Sequence, residues 1–146
     1  MPQVSFAKND ARTFDLLLSA PIIYALIIPI VFSDLCLEIY HRSCFPLYNI
    51  PFIPRSRYIK IDRHKLKYLN IWQKIGCAYC GYANGVLHYA SVIAAATELY
   101  WCPILHKETK DFKAPPHHKK FSKYDDLQGL RKNLKKRIVD YRHVEA

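Results

Sequence analysis

A chain of 146 residues, 51% of them apolar and 14% aromatic, is one small folding unit and not a string of domains. Its five cysteines are an odd number, which excludes a complete set of intrachain disulfides. Its net charge of +10 is unevenly placed: residues 42–67 hold seven Lys/Arg against one acid, and residues 107–146 hold twelve against six. Two basic blocks around a neutral middle suit the anionic face of a membrane. They would also suit nucleic-acid phosphates, but that reading rests on charge alone, and the apolar N-terminal stretch favours a lipid bilayer as partner.

Residues 1–13 are short and mixed. Residues 14–42 are expected to form a hydrophobic membrane helix. The run LLLSAPIIYALIIPIVF at 16–32 carries no charge and is bounded by Asp15 and Asp34. It sits at the short end of what crosses a bilayer. A signal peptide is the rival reading, but the preceding residues carry acids as well as bases, and no small-x-small cleavage site follows Phe32. Pro21 and Pro29 each remove a backbone donor, so the freed carbonyls need partners within lipid. A kinked spanning helix and a re-entrant anchor both remain open. The basic block after the apolar run places residues 42 onward in the cytoplasm by the positive-inside rule.

Residues 43–61 contain Pro46, Pro51 and Pro54, which forbid a long helix. Arg42, Arg55, Arg57 and Lys60 beside Phe and Tyr suit the headgroup level. The alternative is a buried loop wrapped on the soluble part.

Residues 62–106 read as a helical Cys/His unit. Asp62 is expected to cap a helix over 63–75, with Gly76 as its stop. Gly76, Gly81 and Gly85 then predict an irregular turn around 77–84, and a second helix runs over 86–100 until Pro103 ends it. Ala90, Ala94, Ala95 and Ala96 allow close helix packing. Glu98 near that helix's C-terminal end is unfavourable for the dipole, with Arg63 or His64 as expected partner.

Three readings of the cysteines stand side by side. Cys77, Cys80, Cys102 and His106 match a Cys₃His structural site for zinc or iron, with Gly81 placed as in a zinc knuckle. Against this, a straight helix between the two halves keeps them apart. Cys77 and Cys80 alone fit a thiol-redox pair before a helix, although no strand–helix–strand alternation accompanies them. Buried, inert cysteines are the third reading. A CxxC pair beside basic flanks fits a reducing compartment. Cys36 and Cys44 border the apolar stretch, where acylation or simple packing are the choices.

Residues 107–123 read as a basic, solvated linker; the adjacent His117 and His118 could bind metal, but in such a stretch simple exposure is the expectation. Residues 124–146 read as a basic amphipathic helix with a stripe of Leu127, Leu130, Leu134 and Ile138. It would dock on a membrane or partner, or pack on the chain itself.

The strings DRH at 62–64, YLN at 68–70, CAYCGYANG at 77–85 and TELYWCPILH at 97–106, with CFPLY at 44–48, resemble a family of small bacterial membrane-associated proteins. The similarity covers roughly residues 20–107. The family has Asn before the first Cys of the pair, where this chain has Gly76. The resemblance implies a bacterial, membrane-associated protein and supplies no activity; with the basic block, the expected location is the bacterial inner membrane with the soluble part in the cytoplasm. Together these readings predict an all-α, membrane-anchored accessory protein. A larger membrane complex or a homodimer is its expected setting. A thiol-redox or metal-dependent enzyme using the CxxC pair is the alternative.

Overall fold

A computed structural model describes residues 10–136. Among them the protein is all-α: helices α1 (Asp10–Ala25), α2 (Ile27–Leu47), α3 (Ile71–Trp101) and α4 (Leu127–Lys136), with 3-10 turns at Arg55–Arg57, Arg63–Lys65 and Pro116–Lys120. The chain divides into two compact units. The first combines residues up to Tyr40 with Pro54–Ala90, and the second combines His41–Ile53 with residues from Ser91 onward.

In the first unit α1 and α2 form one nearly continuous apolar rod, broken only at Leu26. Pro29 has no N–H to offer the carbonyl of Ala25, which is why the helix hesitates there. Leu26 bonds back to Ile23 in a tighter turn, and Tyr79 of α3 donates its hydroxyl to the same Ile23 carbonyl at 2.7 Å. The stretch Leu17–Leu47 is long and apolar enough to cross a membrane, and only 6% of its most apolar window is buried.

The α3 helix packs on this rod in the same direction. Tyr79 meets Ile23, Tyr82 donates to Asp34 at 2.7 Å, and Tyr89 donates to Glu38 at 2.9 Å. Asp34, 6% exposed, is ion-paired with Arg55. Its second oxygen, Oδ1, is buried without a hydrogen-bond partner.

The expected break at residues 76–84 is absent, because α3 is a single helix of 31 residues. Its true start is at Asn70. The Asn70 side chain accepts the N–H of Gln73 at 2.8 Å, and the Gln73 side chain accepts the N–H of Asn70 at 3.0 Å. This reciprocal capping box satisfies two orphan donors. Asp62 makes no side-chain cap, and only the short turn Arg63–Lys65 follows it. The glycines stay helical, with no positive φ among them. Their small size serves the crossing segment 58–60: a Cβ at Gly81 would lie 3.0 Å from the Lys60 carbonyl, and one at Gly85 2.9 Å from both Ile59 Cα and the Tyr58 carbonyl.

In the second unit the core comprises Phe45, Ile50, Ile53, Val92, Ile93, Ala95, Ala96 and Phe121. The helix α2 runs through Pro46 to Leu47, further than expected, and turns at Asn49 with φ 55°. Fully buried His41 accepts the N–H of Ile53 at 3.2 Å and stacks on Phe52. The Pro-rich segment thus buries Phe45, Ile50 and Ile53, as in the buried-loop alternative. The helix α4 starts where Asp126 accepts the N–H of Gly129 at 2.8 Å. Ile138 and Arg137 of its expected faces lie outside the described residues.

Candidate metal centre

Pro103 ends α3 and begins an extended stretch. Ser122 donates its N–H to the Pro103 carbonyl, and Leu105 donates to the Ser122 carbonyl, both at 2.8 Å. This two-bond clasp closes residues 106–121 into a loop over the end of α3. Within the loop Pro115 and Pro116 stiffen the chain into the turn Pro116–Lys120. His118 donates its backbone N–H to Pro115, and Phe121 donates to His118. The Asn133 side chain of α4 donates to Ser122 Oγ at 2.8 Å and holds the clasp from outside.

The turn brings two imidazoles onto one carboxylate. His117 Nε2 lies 2.9 Å, and His118 Nε2 3.4 Å, from Glu98 Oε2. One ligand atom from each residue falls within 4.8 Å of the other two, and among the described residues no other group of three His, Cys, Asp or Glu converges so. The His118 ring stacks on buried Phe121, with centroids 4.6 Å apart. Its Nδ1 is buried without a hydrogen-bond partner. Burial tends to raise the Glu98 carboxyl. The hydrogen bond to His117, with the charge and hydrogen bond of His118, outweighs it and holds the group below the usual glutamate range. The unfavourable helix-end carboxylate thus finds its partners in His117 and His118, not in Arg63 or His64. Those two are exposed.

The residues singled out from the sequence are placed as follows. Cys77 and Cys80 lie in the second and third turns of α3, half-buried and exposed respectively, and Cys102 is exposed just past its end. From Cys77 to Trp101 the helix is continuous, about 36 Å along its axis at ~1.5 Å per residue. Thiolate ligands at ~2.3 Å from one ion cannot be shared over that length, so the four-residue set does not converge within one chain. Nor does the CxxC pair sit at a helix N-terminus, where the dipole would lower a thiol pKa. His106 is exposed, and its ring lies 5.7 Å from that of His118. Among the basic residues, Arg55 turns to Asp34, Lys60 approaches Asp62 at 3.6 Å, and Arg42 lies over the Phe52 ring. Arg57 is exposed.

The linker reading of residues 107–123 is corrected by the burial of His118, Phe121 and Ser122. The Lys-rich composition hid this, and the one available signal was the pair of prolines directly before the pair of histidines. Comparison with protein-family models, with curated proteins and with solved structures finds no match.

Proposed function

We propose that this chain is a small membrane-anchored accessory protein held at the inner face of a bacterial cytoplasmic membrane. The observation that carries the reading is the exposure of the apolar rod. Leu17, Leu18, Ile22, Ile28, Phe32, Leu35 and Ile39 are each more than half exposed along one 31-residue stretch. Transfer of such side chains from water to lipid is worth ~1.5–3 kcal/mol each when complete. The set therefore favours lipid by on the order of 10 kcal/mol. Arg57 and Lys60, exposed after the rod, supply the positive charge that anionic headgroups attract.

The test is membrane extraction of the full chain expressed in bacteria. The chain is expected in the membrane fraction and resistant to alkaline carbonate, with Leu18→Lys/Ile28→Lys shifting it to the carbonate-soluble fraction. A wild-type chain that is monomeric and soluble without detergent would overturn the reading.

A further inference from the structure

We infer that Glu98, His117 and His118 form a mononuclear site for a divalent transition-metal ion of the zinc or ferrous class, with an open coordination position on its solvent side. The site is independent of the membrane reading, because it lies wholly within the second unit.

Three observations converge on it. The first is spacing. Bonds of about 2.0–2.2 Å around a tetrahedral ion place neighbouring ligand atoms roughly 3.3–3.5 Å apart. The two nitrogen-to-oxygen separations of 2.9 and 3.4 Å are already close to such edges. The second is donor chemistry. Two imidazoles and a carboxylate suit zinc or ferrous iron, whereas magnesium and calcium take oxygen sets. Three protein ligands also leave room for a water or a substrate atom. The third is the state of His118. Its side chain is 4% exposed and clamped by Phe121, and its Nδ1 has no partner. Burial and the Phe121 stack fix the ring with its Nε2 aimed at the Glu98 carboxylate, so the donor is held in place before any ion arrives. The Glu98 side chain is 36% exposed and that of His117 14%, which gives the ion a way in.

His106 lies beside this set without joining the converging atoms. It is therefore expected to be dispensable for holding the ion.

The experiment uses the full chain, purified in detergent without chelator. Metal per chain is measured by elemental mass spectrometry, and the metal-free protein is titrated with zinc and with cobalt(II). About one ion per chain is expected. The cobalt spectrum should show d–d bands without sulfur-to-cobalt charge transfer. Glu98→Ala and His118→Ala should weaken binding more than about 100-fold, since loss of an outer-shell partner alone typically costs 10–100-fold. His106→Ala, Cys77→Ser and Cys102→Ser should bind as the wild type does. The wild-type cobalt spectrum keeps the inference testable where a variant fails to fold. Absence of saturable binding would overturn it. A thiolate charge-transfer band, or loss of the ion in Cys77→Ser, would overturn it in favour of a sulfur site.

Discussion

Tyr79 donates its hydroxyl to the backbone carbonyl of Ile23 at 2.7 Å, beside the only break in the apolar rod. The Ile23 carbonyl also accepts the Leu26 N–H, so the bond braces the tightened turn beside the break, and a hydrogen bond of this kind is worth more where no water competes for it. Tyr79→Phe is expected to lower stability by about 1 kcal/mol in bicelles and by less in water-exposed conditions. Chemical unfolding followed by circular dichroism in both media checks this. Equal effects in the two would deny that the bond serves the bilayer.

Gly85 and Gly76 make opposed predictions. A methyl at Gly85 meets backbone atoms of Tyr58 and Ile59 at 2.9 Å, whereas one at Gly76 meets only the Tyr24 hydroxyl, at 3.6 Å. Gly85→Ala should therefore cost ~1–3 kcal/mol through overpacking. Gly76→Ala should gain up to ~1 kcal/mol from helix propensity. Thermal melts of the two variants decide it; destabilisation by both would mean that the helix interior, not the crossing segment, demands glycine.

Removing Arg55 leaves the buried Asp34 carboxylate with only the Tyr82 hydroxyl. Arg55→Met is expected to cost ~3 kcal/mol, and Asp34→Asn added to it should recover part of that loss. A double-mutant cycle in detergent measures the coupling.

The Glu98 carboxyl, held below the ordinary glutamate range by His117 and His118, titrates in a defined window. A group whose folded pKa is depressed contributes stability that is present above its unfolded value, near pH ~4.3, and is lost as pH falls through the lower folded value. Metal-free wild type should thus lose stability more steeply than Glu98→Gln below that pH. Parallel acid limbs in unfolding curves would contradict the assignment.

The long apolar rod was legible because an uncharged run bounded by Asp15 and Asp34 sustains a helix of spanning length. Pro103 as the end of α3 was legible for a local steric reason. The start of that helix was missed although its signal was present: Asn70 followed three residues on by Gln73 is a capping box. The glycines drew attention away, because a glycine that makes room for another segment looks in sequence like one that makes a turn. The histidine pair was legible as a possible ligand pair, but its convergence on Glu98 was not. That convergence depends on the hydrogen bonds that tie Pro103 and Leu105 to Ser122, which join positions nearly twenty residues apart. Nothing in a Lys-rich composition announces that pairing.

Because α3 runs in the same direction as the rod, its first turns lie alongside Tyr24 rather than at the rod's far end. Any depth of insertion that submerges Ile28 and Phe32 takes Trp72, 77% exposed, down with them. The waterline is then set by two helices together. In the proposed anchored state Lys74 limits how far they sink, since its ammonium must reach the headgroups. Quenching of Trp72 fluorescence by lipids brominated at graded depths would read this draught directly. Quenching strongest near the headgroups is the expected result.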